Sequence, residues 1–401
     1  MYGFIETATS IPSLLSAMSK GDAMKWYQPE TDCYLKANRV DHGREYQDAI
    51  AEVIASRVGE LLHILVVQYQ LCHIRIDDEK LLLGTISHNF CHKNESFISF
   101  ETMVESSDAP IQWAVSAKEN YALVIDLFRT LTGLDARDYL NTMLLFDFLI
   151  CNEDRHLNNF GVLKDETDGS YRFPPLFDSG YALGFMQAEH RPVEQYLYSC
   201  KAKPFSTSFS KQLQLGKSAP ERDCPAGQHS GYRIRWSAAV CTDARLLPYD
   251  SADKIAAAKG VFRMKPVDFT IYWEETPVVQ VCYDENNKPQ FTVLNPSRLP
   301  VLLFGMNGKA TPTAARLDKF FADRCFPSTR QNAKELLAIA GLTLYQPKLI
   351  CRKTHGIVAH DHYWIRYADD PTDLSYASLM QEMSKAVKAV LGDTPSQRHI
   401  G

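Results

Sequence analysis

The chain has no CxxC pair, although it carries ten cysteines in 401 residues. That spacing excludes a zinc ribbon and a thioredoxin-type dithiol, and the scatter reads as reduced thiols in an intracellular protein. No window approaches 18 uninterrupted apolar residues, so no transmembrane helix is expected. The opening MYGFIETATSIPSLL has no basic stretch ahead of its apolar residues, so no secretory signal is read and a cytoplasmic location is expected. Positive charge is not in excess: 43 Lys and Arg against 48 Asp and Glu give −5. A general nucleic-acid binder and a polybasic membrane binder are thereby disfavoured. Neither an internal repeat nor a low-complexity tract appears. With 45% hydrophobic residues the chain can build a sizeable core, and its length asks for two or three units.

Residues 1–105 read as a mostly antiparallel sheet with one prominent helix. A turn falls at Ser19-Lys20-Gly21-Asp22, and CYLKANRV at 33–40 is a strand with Lys36 near its end. A helix is expected from about Glu45 to Leu62, because Ile50, Val53, Ile54 and Val58 recur at helical spacing. The apolar run 63–70 and the segments 81–86 and 96–101 look like further strands. Residues 106–250 begin helically, with a strongly apolar Tyr139–Ile150 and then a polar cluster at 152–159. A short strand, a turn at Asp168-Gly169 and the strand RFPPLFD follow, and 216–250 reads as a linker. Residues 262–390 form a separate α+β module. Its strands DFTIYW, VVQVCYD and QFTVL make a meander, helices lie at 313–323 and 329–340, and Gly341 sits as a C-cap.

The chemistry concentrates in Asn152-Glu153-Asp154-Arg155-His156-Leu157-Asn158-Asn159-Phe160-Gly161 and in Phe177-Asp178-Ser179-Gly180. Asp154 and Asn159 lie five apart on a loop after an apolar helix, and Asp178 lies 24 residues after Asp154, across a hairpin. Two carboxylates and an amide oxygen are hard donors suited to Mg²⁺. Phosphoryl transfer needs one carboxylate to orient the acceptor hydroxyl, and a further Asp with an Asn to hold the metal. Upstream, Lys36 on its strand could meet ATP phosphates. Asp48 and Glu52, one helical turn apart, are alternative partners for it. Gly21 with Lys25 could form a phosphate-covering loop.

At these residues the chain resembles the HipA-like serine/threonine kinases, bacterial toxin kinases whose fold is related to protein and phosphoinositide kinases. The resemblance spans roughly residues 1–215. It implies a two-lobed protein kinase-like α+β fold, with a small antiparallel-sheet lobe at 1–105, a helical lobe at 106–250 and the added C-terminal module. It further implies Asp154 as catalytic base, Asn159 and Asp178 as Mg²⁺ ligands, Lys36 as the ATP lysine and Arg155 and His156 as structural residues. Ser19 would be a site of autophosphorylation. ATP, Mg²⁺, a protein substrate and an antitoxin partner come with that expectation. The recognisable part ends near KPFSTSFSKQL at 203–213, earlier than the family's large helical lobe, so a catalytically weak nucleotide-binding regulator and a small-molecule kinase stand as alternatives. Residues 265–390 are compared with the small N-terminal subdomain of those toxins.

Other clusters take blander readings. His355, His360 and His362 are read as a polar strand end rather than a metal pair, and His88, Cys91 and His92 lack a second pair at zinc spacing. Arg324 and Arg330, flanking Pro327, are read as solvated or capping. Tyr272, Trp273, Tyr363 and Trp364 are read as core or interface.

Overall fold

The structure, a computed structural model, describes residues 4–6, 15, 17–18, 21–76, 81–107, 111–185, 200–217 and 266–391. Ser19 and residues 218–250 of the expected linker lie outside them. The described chain is mixed α+β, with small antiparallel sheets and helices.

Along the chain, β1 (Phe4–Glu6), β2 (Lys25–Gln28) and β3 (Cys33–Ala37) precede a small ribbon of β4 (Val40–Asp41) and β5 (Arg44–Glu45). Helix α1 (Asp48–Leu61) follows, then β6 (Gln70–Arg75) and β7 (Leu81–His88). The first sheet has the order β1-β6-β7-β3-β2, antiparallel except for β1 beside β6. Its strands alternate. Cys33, Leu35 and Ala37 of β3 are buried while Tyr34 and Lys36 face the other way, as period-two side chains must. Helix α1 buries Asp48, Glu52, Ala55 and Gly59, one face at 3.6-residue spacing, and its first turn is capped from outside by Asn38 Oδ1, which accepts from the Ala49 amide at 2.8 Å.

The middle of the chain contains β8 (Glu95–Ser99), α2 (Phe100–Glu105), α3 (Ala117–Thr132), α4 (Arg137–Leu149), β9 (Gly161–Asp165), β10 (Tyr171–Arg172) and α5 (Phe209–Lys217). Strand β8 does not extend the first sheet. It pairs with β9 in a three-stranded sheet β10-β9-β8, because Ile98 and Phe100 belong with Phe128, Phe146 and Phe160 in the helical core. Of the expected strand RFPPLFD only Arg172 is paired, as the second residue of β10, since Pro174 and Pro175 cannot donate to a ladder. The apolar run 63–70 is likewise not a strand. Val66 makes one isolated bridge to Leu176, and the paired strand starts at Gln70.

The third part holds β11 (Phe269–Trp273), β12 (Thr276–Tyr283), β13 (Pro289–Val293), α6 (Val301–Phe304), α7 (Ala314–Asp323), α8 (Ala333–Ile339), α9 (Pro347–Thr354), β14 (Tyr363–Tyr367) and α10 (Tyr376–Leu391). The meander is completed by β14 beside β11, giving the order β13-β12-β11-β14. Gly341 ends α8 with φ +67, the left-handed position that glycine accepts at no steric cost. One apolar core joins this module to the first sheet: Leu35, Ile74 and Leu82 pack in the same cluster as Ile271, Phe320 and Ile365. Among the described residues no helix is long and apolar enough to cross a membrane.

Candidate active site

Three adjacent strands set a polar row on the first sheet. Lys25 of β2 is the cross-strand partner of Lys36 of β3, and Lys36 is the partner of Thr85 of β7. Helix α1 crosses this face and lowers Glu52 onto it. Lys36 Nζ donates to Glu52 Oε1 at 2.5 Å and to Asp178 Oδ1 at 2.7 Å, while Thr85 donates to Glu52 Oε2 at 3.0 Å. Of the two acidic candidates on α1, Glu52 is therefore the one that holds Lys36. Asp48 accepts instead from the Arg39 amide at 3.2 Å. The turn after Asp178 passes directly over this pair. A Cβ on Gly180 would lie 3.1 Å from Asp48 Cβ, 3.4 Å from Glu52 Oε1 and 3.5 Å from Lys36 Nζ.

The loop after α4 is built around one buried cation. Arg155 is fully buried and makes a bidentate pair with Asp147 of α4, Nε and Nη2 each at 2.9 Å. Its Nη1 donates to the Asn159 carbonyl at 3.0 Å and to the Phe177 carbonyl at 2.7 Å. One guanidinium thus ties the Asp154–Asn159 loop to the residue preceding Asp178. Asn152, buried, donates to Asp147 at 2.9 Å and receives the Asp154 amide at 3.3 Å. Asn159 is buried and its amide donates to the Asp154 carbonyl at 3.1 Å. Phe177 anchors the second acidic turn by stacking on Phe90 and meeting Phe97 edge-on, and Asp178 itself sits at φ +57.

These groups face a cavity of about 550 Å³. Lys25, Lys36, Glu52, Asn159 and Asp178 line it with Gly21 of the preceding turn, and Phe90, Phe97 and Phe177 supply an apolar wall. A recess of about 70 Å³ continues it, where Asp154 meets Lys25, Lys36 and Asp178. Burial alone would raise Asp178, but Lys36 and Lys25 more than offset it and hold the carboxyl well below the usual range. Burial opposes the charge on Lys36, yet Asp178 and Glu52 keep it firmly protonated. Lys25 is pushed below its ordinary value by burial and by the neighbouring cations Lys36 and Arg330, with Asp178 opposing. Two side-by-side lysines, one of them strained in its charge, make a site that an anion would relieve.

The structure thus brings Gly21, Lys25, Lys36, Glu52, Asp154, Asn159 and Asp178 to one cavity and its recess, with Asp48 at the recess edge. Lys203 was not singled out by sequence. Its Nζ lies 2.7 Å from Asp154 Oδ1, and the neighbouring Lys201 amide donates to Glu153 at 2.8 Å. Its only signal was proximity in sequence to the end of the recognisable kinase-like stretch. Arg324 and Arg330 are corrected: neither is solvated. Arg324 is buried against Asp361 at 2.6 and 2.9 Å, and Arg330 donates to the carbonyls of Gly21 and Ala17. His360 and His362 precede β14 rather than lying on it. Among the described residues no group of three His, Cys, Asp or Glu side chains is placed to hold a metal ion.

No protein-family model matches the chain, and no curated protein matches it. Among solved structures, the chain is similar to the crystal structure of CtkA, a proinflammatory kinase of Helicobacter pylori, at 17% identity and a TM-score of 0.34. The match covers 45% of this chain and 60% of that one, so this chain spans less than two thirds of the length of that kinase.

Proposed function

We propose that the protein is an ATP- and Mg²⁺-dependent phosphotransferase of two-lobed kinase design, acting on a serine or threonine hydroxyl. The observation that carries this reading is the placement of Lys36 between Glu52 and Asp178, beside Lys25, in a cavity that also holds Asn159 and opens to Asp154. The donor set fits the metal: Asp178 and Asn159 offer one carboxylate and one amide oxygen, and Mg²⁺ usually takes few protein ligands alongside phosphate oxygens and water. When bound, the metal neutralises charge on the phosphates.

The chain's own residues supply the rest. Lys36 and Lys25 bind phosphate oxygens. Glu52, fixed by Thr85, orients Lys36. Arg155 holds the Asp154 loop and the Asp178 turn in register. Asp154, at the mouth of the recess, accepts the hydroxyl proton of the acceptor and aims its oxygen. The finer reading is a HipA-like protein kinase of a toxin–antitoxin pair, with a protein substrate and an antitoxin partner; the catalytic and metal motifs support it. Equilibrium binding of Mg-ATP by the wild type and by Asp178→Ala tests the site. Tight binding by the wild type and weak binding by the variant are expected. Equal binding by both would remove the metal assignment, and no binding by either would remove the function.

A further inference from the structure

We propose that Arg330, contributed by the C-terminal module, is a positioning residue of the nucleotide site, and that the module is a working wall of that site. This rests on the nucleotide reading above. Arg330 is 3% exposed. A buried guanidinium is costly unless its donors are used, and here they are spent on main chain of the first sheet's approach. Its Nε donates to the Gly21 carbonyl at 3.1 Å and its Nη1 to the Ala17 carbonyl at 2.5 Å. The flanking residues reinforce the clasp. Thr329 donates to the Asp22 carboxylate at 2.7 Å, and the Gln331 amide to the Asp22 carbonyl at 3.0 Å.

What the clasp fixes is a phosphate-binding feature. Gly21 stands at φ +97, a conformation for which glycine is suited, and the space a Cβ would take is filled by Lys25, whose Nζ lies 2.9 Å from that point. Moving Gly21 therefore moves the surface against which the Lys25 ammonium rests. The same module is also bonded to the chain around Phe97 and Glu105, two further lining residues of the cavity. Arg316 donates to the Ser106 carbonyl at 3.0 Å, and the Phe97 amide donates to the His360 carbonyl at 3.0 Å. Between these attachments Cys325, Pro327 and Tyr345 line the cavity itself. The module thus holds the cavity lining at several points, so its contact with Gly21 sets where that turn stands relative to the rest of the lining.

The experiment uses the full chain and compares wild type, Arg330→Met, Arg330→Lys and Thr329→Val. Mg-ATP affinity is read by calorimetry, and KM for ATP and kcat by steady-state transfer. Arg330→Met should weaken Mg-ATP binding about tenfold, and leave kcat at saturating ATP within about twofold, because the loss is in ground-state placement of the nucleotide. Arg330→Lys should recover part of the affinity, since lysine keeps the charge and can reach one carbonyl. Thr329→Val, an exposed change, should weaken binding about two- to tenfold, the span of one hydrogen bond. Wild-type affinity in folded Arg330→Met, or a kcat loss with unchanged KM, overturns the inference. Should Arg330→Met fail to fold, Thr329→Val decides: raised Kd supports the positioning role and unchanged Kd overturns it. A wild type that binds no Mg-ATP overturns the function and this inference together, whereas wild-type binding with indifferent variants overturns this inference alone.

Discussion

Replacing Asp178 by Asn and, separately, Asp154 by Asn should split stability from chemistry. Asp178 holds Lys36 at 2.7 Å, with side chains 26% and 14% exposed. At an effective dielectric near 20, two unit charges at that separation attract by roughly 6 kcal/mol before desolvation is counted. Removing one partner of a buried pair costs about 3–5 kcal/mol, and because Glu52 still holds Lys36 at 2.5 Å, a loss of about 1–3 kcal/mol is expected for Asp178→Asn. Asp154 pairs with Lys203 at the same 2.7 Å, but Lys203 is 51% exposed. Such a pair contributes about 0–1 kcal/mol, so Asp154→Asn should unfold close to wild type. The assay is urea unfolding of the nucleotide-free proteins, beside a transfer assay in which both variants lose activity. A pH series adds a sign. Burial would raise Asp178, yet Lys36 and Lys25 lower it, so its contribution is fully present above the unfolded carboxylate value of about 4 and is lost as the pH falls below it. The gap between wild type and Asp178→Asn should therefore close in acid. An Asp178→Asn protein as stable as wild type at neutral pH would refute the ion pair. An Asp154→Asn protein that lost more than about 2 kcal/mol would refute the reading of Asp154 as an exposed-edge pair.

Other consequences follow from the same contacts. Arg155→Met should cost about 3–5 kcal/mol, because it strands a fully buried Asp147 and frees the carbonyls that join the two acidic turns; urea midpoints would show it, and a second change of Asp147→Leu should recover part of the loss. Gly180→Ala sets a methyl 3.1 Å from Asp48 Cβ, tighter than an ordinary contact, and beside Glu52 and Lys36, so it should cost about 1 kcal/mol and weaken Mg-ATP binding, measured by thermal unfolding with and without nucleotide. Lys25 is depressed chiefly by burial, so an anion bound beside it should raise it back toward the ordinary lysine value. Calorimetry in two alkaline buffers of different ionisation enthalpy should register proton uptake on ATP binding between the depressed and ordinary lysine values. Lys25→Met should abolish that uptake; uptake persisting in that variant would assign it elsewhere.

What was legible in the sequence was local. Ile50, Val53, Ile54 and Val58 mark α1 by spacing alone, and its observed span is Asp48–Leu61. The alternation around Lys36 marks β3, and the run from Asn152 to Asn159 announces a polar loop after an apolar helix. The choice between Asp48 and Glu52 was not legible, since a one-turn offset on a helix is settled only by how α1 lies on the sheet. Nothing in Glu95–Ser99 itself says which sheet β8 joins, and the aromatic core of Phe100, Phe128 and Phe160 decides. The run at 63–70 has strand composition, but its neighbour in space is the turn at Leu176 rather than a strand. Arg330 and Gly21 lie 309 residues apart, and Lys203 and Asp154 lie 49 apart. Contacts of that separation leave no periodic trace, so a long charged side chain that folds inward, as Arg330 does, reads as solvated.

The most direct test of the account is label transfer from γ-labelled ATP with Mg²⁺, run on the wild type beside Asp154→Asn with protein acceptors present. Label on protein serine or threonine is expected with the wild type and none with the variant, while both bind Mg-ATP. Equal labelling by the two proteins would contradict it, because the carboxylate at the mouth of the recess would then have no part in the transfer.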